Sequence, residues 1–169
     1  MGQQNLSELQ EPIKERYSDD PDAAKVTLTA TGEEDDDVRA CSVDIGRAIY
    51  EAELHEGTGG PGTGACSGDL LLGALAACAQ LTAQAVANSF GLDADVEVTV
   101  EGDLDLRGTL GTGEDVPVGF EDIRIDATVE GDGVDPDTAD ALQRVTERYC
   151  VVYQTLQSPP EIESTWTFE

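Results

Sequence analysis

Val26, Leu28 and Ala30 alternate with polar neighbours, and Cys41, Val43 and Ile45 do so again after the acidic run Glu33 to Asp37. This period of two predicts two strands joined by a solvated turn. Arg39 shares the parity of Cys41, Val43 and Ile45, so a strand there would point its side chain to the apolar face, where an arginine calls for a partner. A third strand falls around Tyr50, Ala52 and Leu54 and runs into the glycine-rich stretch Gly57 to Gly64, which reads as a loop. The loop leads to a long helix. Ser67 is placed to cap it, Asp69 lies in its first turn, no proline interrupts Leu70 to Phe90, and Gly91 closes it. Nearly every position from Leu70 to Ala79 is apolar or small, which predicts a helix buried on most sides, with Gly73, Ala74, Ala76 and Ala77 allowing close approach of another backbone.

Period two returns in Val96, Val98, Val100, Leu104 and Leu106, with Gly102 on the same face as a bend or bulge, and again in Ile123, Ile125, Ala127 and Val129. Asp135 and Pro136 then open a second helix whose Ala139, Leu142, Val145 and Tyr149 form an apolar stripe. Cys150 stands at its end. Val151 to Leu156 forms a further short element, Pro159-Pro160 stops it, and Ile162, Ser164, Trp166 and Phe168 alternate as a final strand. Three strands, a helix, two strands, a helix and a last strand make a mixed α+β chain, with no internal repeat of the solenoid kind. Residues 1–21 read as a loose arm or short helix ending at Asp19-Asp20-Pro21, and residues 22–169 as one domain. The apolar load of the first helix and the glycine-rich approach to it predict a homodimer built around that helix.

Charge changes the picture next. Asp and Glu number 36 against 9 Lys and Arg, a formal charge of −27, and Lys14 and Lys25 are the only lysines. Nucleic acid is an unsuitable partner for such a surface. The self-repulsion is severe in dilute buffer, but at ~1 M salt the screening length falls to about 3 Å, so the composition suits a high-salt cytoplasm. Acidic excess alone would also fit a disordered chain, but 39% hydrophobic residues in periodic segments argue for a folded one. No N-terminal basic-then-apolar leader is present, and no segment is expected to approach the ~18 apolar residues of a membrane span, so a soluble cytoplasmic protein without membrane partners is expected.

Cys41, Cys66, Cys78 and Cys150 lie far apart without CxxC spacing, which excludes a zinc ribbon or a thioredoxin-type motif. In a reducing compartment they are thiols rather than structural disulfides. Taken singly, Cys78 in a small-residue helix and Cys150 at a helix end read as packing groups. Periodicity does not say whether they meet. His55, the only histidine, reads as an exposed loop residue, since pairing with Cys66 or Cys41 would give only a scattered metal set. Cys41 follows the inward parity. Cys66, just ahead of a helix start, is open to modest reactivity.

Two segments carry a resemblance. Ala65-Cys66-Ser67-Gly68-Asp69-Leu70-Leu71-Leu72-Gly73-Ala74-Leu75-Ala76-Ala77-Cys78 resembles the central helix of the OsmC/Ohr family, of the OsmC-like branch, and Glu147-Arg148-Tyr149-Cys150-Val151-Val152-Tyr153-Gln154-Thr155-Leu156 resembles its resolving-cysteine segment. Glu101 to Gly108 and Gly119 to Ile123 are similar to strands of the same family, and the likeness runs from about Lys25 to Phe168. It implies antiparallel sheets packed on a buried central helix in an intertwined homodimer, with each active site shared by two subunits. It also implies an organic hydroperoxide reductase without metal or organic cofactor. Cys78 would form a sulfenic acid, Cys150 would resolve it as a Cys78–Cys150 disulfide, and an external dithiol, of lipoyl type or another small one, would reopen the bridge.

The same resemblance implies an arginine beside the reactive thiol, held by a glutamate. Arg39 is the candidate, but the glutamate position falls on Gly68, with Asp69 beside it, and the proline that commonly follows the resolving cysteine is replaced by Val151. The alternative function is a non-enzymatic small-ligand binding or stress-response protein of the same fold, in which the cysteines serve packing.

Overall fold

The computed structural model describes residues 6–168. Its contacts divide the chain into two compact units, one comprising the chain up to Gly73 with Thr99–Asp126, the other Ala74–Val98 with the chain from Ala127 onward.

In the first unit, α1 (Leu6–Asp19) makes the expected arm helical, although residues 1–5 of that arm lie outside the described residues. None of its residues is buried. Strands β1 (Thr31–Glu34), β2 (Ala40–Asp44), β3 (Ile49–Glu53) and β4 (Ala65–Cys66) form one sheet in that order. The first strand is therefore displaced from the expected Val26–Ala30. A short acidic turn after Glu34 sets the register Thr31↔Asp44 to Glu34↔Cys41, so the paired residues of β1 are Thr31, Gly32, Glu33 and Glu34 next to the turn. Val26 and Leu28 are left 76% and 91% exposed, an alternating pattern without a strand partner among the described residues. The β2–β3 hairpin turns through Gly46, whose φ of 80° favours glycine. The β3–β4 pairing is parallel, so the sheet is not wholly antiparallel as expected. Glu53 pins the glycine-rich loop to β3, because its carboxylate accepts from the Thr63 hydroxyl (2.8 Å) and from the amides of Thr63 (3.1 Å) and Gly64 (2.9 Å).

Helix α2 (Ser67–Ser89) starts in this unit and continues into the other. The Asp69 carboxylate reaches back to the Cys66 amide (2.8 Å), which makes Cys66 rather than Ser67 the cap position and leaves Asp69 as half of a capping box. Leu75, Ala79, Ala83, Val86 and Ala87 are buried, a single stripe at helical spacing. The expectation of burial on most sides is corrected, since Leu81 is 66% exposed. By length and composition α2 is long and apolar enough to cross a membrane, contrary to the expectation that no segment approaches this, and 28% of its most apolar window is buried.

Strand β5 (Ala94–Asp103) shows the predicted alternation throughout and pairs with β6 (Asp122–Gly131). Within the first unit Gly102 packs flat under Phe120, where an added Cβ would stand 2.6 Å from the ring. Leu106, expected in the strand, instead starts α3 (Leu106–Thr109), because the Asp105 carboxylate accepts from the Arg107 amide (3.0 Å) and caps a turn there.

The second unit is organised around Val86, Ala87 and Leu142, with Leu92, Val129 and Val145 packed against them. Helix α4 (Pro136–Tyr149) begins as predicted, the Asp135 side chain accepting from the Thr138 amide (2.8 Å). Its inward stripe ends on Cys150 rather than Tyr149, which is 61% exposed against 1% for Cys150. Helix α5 (Val151–Gln157) follows at once. Ile162, Trp166 and Phe168 are 85%, 79% and 88% exposed in an extended segment without strand pairing, which corrects the final strand. The alternation there is genuine, but a strand needs a neighbour, and the described residues offer none to this segment.

Candidate functional site

Cys78 stands half-buried on α2 and Cys150 is fully buried between α4 and α5, both within the second unit and both as free thiols. The break between α4 and α5 brings them together. Cys150 leaves the helix with φ −72° and ψ 108°, and α5 restarts without a side-chain cap, so its first amides have no acceptor behind them. Those amides meet the sulfurs. Burial pushes the Cys78 thiol up, but the Val152 amide, the Cys150 thiol, the Val151 amide and the Thr82 hydroxyl outweigh it by hydrogen bonding to the sulfur, and the Cys78 pKa lies below the ordinary thiol value. Thr82 has one hydroxyl proton, which also reaches the Cys78 carbonyl at 2.7 Å, so its help to the sulfur is shared.

Cys150 is shifted the other way. Burial raises it, the Tyr153 amide offsets part of that, and the hydrogen bond to Cys78 and the charge on Cys78 raise it further. The two neighbouring thiols thus have pKa values driven in opposite directions. Of the two, Cys78 is the one that ionises first, while Cys150 keeps its proton and donates it toward the Cys78 sulfur. This asymmetry arises from amide placement and burial, neither of which is visible in sequence spacing.

Arg39 lies in the first unit, in the turn before β2. Its guanidinium is paired with Asp37 (2.6 Å) and about half exposed, so the inward orientation read from strand parity does not hold. A turn residue is not bound by the strand's alternation, and Asp37, two residues away, captures the cation. The pairing holds the Asp37 carboxyl down to about 2. Gly68 and Asp69 also lie in the first unit, Asp69 serving the helix cap. Sequence reasoning missed the Val151, Val152 and Thr82 donors. One signal was available, since Val151 supplies an N–H at a position where proline would have none.

The family model described as OsmC-like protein matches residues 60–165, well over half of the chain. The chain belongs to the OsmC-like protein family. No curated protein matches its sequence. Among solved structures it is similar to an OsmC-like protein from Mycoplasma pneumoniae, 17% identical with a TM-score of 0.65, the match covering 80% of this chain and 90% of that one. It is also similar to an organic hydroperoxide resistance protein OsmC from Legionella pneumophila, 22% identical with a TM-score of 0.57, covering 79% of this chain and 90% of that one. A third is an organic hydroperoxide resistance protein from Elizabethkingia anophelis, 20% identical with a TM-score of 0.59, covering 80% and 91% of the two chains. At these identities the likeness is one of OsmC fold, and the matched stretch includes both Cys78 and Cys150.

Proposed function

We propose that this OsmC-like protein is a thiol peroxidase that reduces organic hydroperoxides to alcohols. The observation that carries the reading is the hydrogen-bonded contact of Cys78 and Cys150 with their pKa values displaced in opposite directions. The Cys78 thiolate attacks the terminal peroxide oxygen, the O–O bond breaks, the alkoxide leaves and takes a proton as alcohol, and sulfur becomes a sulfenic acid. The Cys150 sulfur then displaces hydroxide from that sulfenic acid, giving the Cys78–Cys150 disulfide and water. An external small dithiol returns both thiols by exchange. Arg39 remains the candidate cation for the peroxide or the thiolate, to be freed from Asp37 for that task. A cytoplasm of high salt suits the charge of −27.

The experiment is a count of reactive thiols in high salt before and after one equivalent of cumene hydroperoxide. Loss of two thiols per chain, both in the Cys78–Cys150 peptide pair and both restored by dihydrolipoamide, supports the reading. An unchanged count would favour the ligand-binding alternative.

We also propose that the working form is a homodimer in which a second copy covers the apolar side chains left open here. Leu81 on α2, together with Val26, Leu28, Ile162, Trp166 and Phe168 on strand-patterned segments, are too many large exposed apolar groups for an isolated chain. The double substitution Trp166→Ser with Phe168→Ser is expected to shift the mass measured by light scattering from two chains to one. An unaltered dimer mass would place the interface elsewhere.

A further inference from the structure

Within the second unit, the two helices that carry the redox pair run past each other in a definite register. Leu142 of α4 packs with Val86 and Ala87 of α2, and two turns back along α2 and two turns on along α4 Cys78 meets Cys150. Thr82 and Thr146 stand one turn from either end of that register, so they share the layer between the apolar core and the sulfurs.

A threonine inside a helix ordinarily gives its hydroxyl proton to the carbonyl one turn back, as Thr82 does to the Cys78 carbonyl (2.7 Å) and Thr155 to that of Val151 (2.8 Å). Thr146 does not. Its Oγ1 is buried and has no hydrogen-bond partner, the one such side-chain atom among the described residues. A buried hydroxyl left unmatched is destabilising, and a valine of the same shape would avoid the cost. Thr146 therefore holds donor capacity that the reduced protein leaves unused.

Whatever uses that capacity must arise close by. The Cys150 amide donates to the Thr146 carbonyl (2.9 Å), so the turn joining the two residues is intact, and helical side chains lean toward the N-terminus, which carries the Cys150 side chain over the turn of Thr146. Cys150 is 1% exposed, so its sulfur depends on protein donors. At rest that sulfur keeps its proton and is a weak acceptor. In the resolving step its character changes, because it loses the proton and becomes the electron-rich atom of the pair, while the charge of the Cys78 thiolate has gone into the sulfenic acid.

We propose that Thr146 is the hydrogen-bond donor of the resolving step, its hydroxyl turning to the Cys150 sulfur as that sulfur attacks. This deepens the peroxidase reading and rests on its Cys78–Cys150 pairing. The lone pair of the Cys150 sulfur forms the S–S bond to Cys78, the S–O bond of the sulfenic acid breaks, and the oxygen leaves as hydroxide, which takes the proton given up by Cys150 and departs as water. The sulfenic acid is the oxidant, and Thr146 keeps its own proton throughout. Rotation about one bond exchanges an unmatched hydroxyl for a hydrogen bond to a sulfur that bears negative charge, and an interaction made only during the attack speeds that step.

The deciding experiment needs no hydroperoxide. A Cys41→Ala, Cys66→Ala background is treated in high salt with dithiodipyridine, a neutral disulfide that a charge of −27 does not repel. Cys78 releases a first thiopyridone and becomes a mixed disulfide, and Cys150 attacks the Cys78 sulfur to release the second. Thr146→Val is expected to slow the second phase relative to the first by about tenfold, the scale of one hydrogen bond to a charged group. Its thermal midpoint is expected at or above that of the background protein, since the unmatched hydroxyl is gone. Thr146→Ser is expected to restore the second phase. An unchanged second phase in Thr146→Val, both phases slowed together with a lowered midpoint, or no second phase in the background protein would each overturn the proposal. Consumption of cumene hydroperoxide is followed on the same proteins. A protein that runs both phases but leaves the hydroperoxide intact loses the peroxidase reading, and the ratio of the phases in Thr146→Val still decides the part played by Thr146.

Discussion

Cys78→Ser is expected to lower hydroperoxide consumption by at least about a thousandfold, the scale on which loss of the nucleophile acts in enzymes that pass through a covalent intermediate. Cys150→Ser is expected to behave differently. It keeps the Val151 and Val152 amides that favour the Cys78 thiolate, so the first equivalent of hydroperoxide is reduced at a rate near that of the wild type. The cycle then stops, because the sulfenic acid has no neighbouring thiol to condense with, and steady-state turnover with a dithiol falls to what direct reduction from outside supplies. Stopped-flow consumption of cumene hydroperoxide shows the single equivalent, and dimedone labelling of the Cys78 peptide shows the trapped sulfenic acid. The contrast separates the two roles that the opposed pKa shifts assign. If Cys150→Ser lost the first turnover as completely as Cys78→Ser, Cys150 would be part of the nucleophile rather than its resolver.

Periodicity was most informative where an element buries one face against its own unit. The alternation of Val96, Val98 and Val100 appears residue by residue in β5, and the Asp135-Pro136 start of α4 appears with its cap bond in place. It misled where the apolar pattern finds no cover among the described residues. Ile162, Trp166 and Phe168 have a strand's alternation and no strand neighbour among the described residues, and α2 is apolar all round while only the stripe from Leu75 to Ala87 is buried. Hydrophobic pattern reports that a face is to be covered and says nothing about which molecule covers it. The site was legible in part for a related reason. Cys78 and Cys150 were recognisable from the segments around them, but their pKa order is set by main-chain N–H groups, which every residue except proline possesses and no side-chain motif encodes. Arg39 shows the opposite failure, a side chain with a plausible parity captured by Asp37 two residues away.

Val151→Pro isolates one of those main-chain groups. The substitution suits the backbone, because position 151 is the first residue of α5, where proline is tolerated, and Cys150 already has the extended conformation that a following proline requires. What is lost is the N–H that donates to the Cys78 sulfur. A hydrogen bond to a charged group is worth about 1.5–3 kcal/mol, and the half-buried sulfur calls for the lower end of that range, so the thiolate fraction at a fixed pH below the midpoint falls about tenfold. A more basic thiolate is also a better nucleophile, by a Brønsted slope of about 0.4–0.5, so the reaction with hydroperoxide slows by only roughly threefold. The sign is fixed by the direction of the native shift. The Cys78 pKa is depressed, so the wild-type rate rises with pH through a midpoint below that of an ordinary thiol, and the proline variant moves the midpoint upward. The thiolate absorbance at 240 nm followed against pH, in a Cys41→Ala, Cys66→Ala background, measures this without reference to activity. A midpoint that does not move would mean that Val152 and Cys150 hold the thiolate without the Val151 amide. A midpoint that moves while the rate constant per thiolate rises would show that this family member obtains its reactive cysteine in part from the residue standing where proline would be.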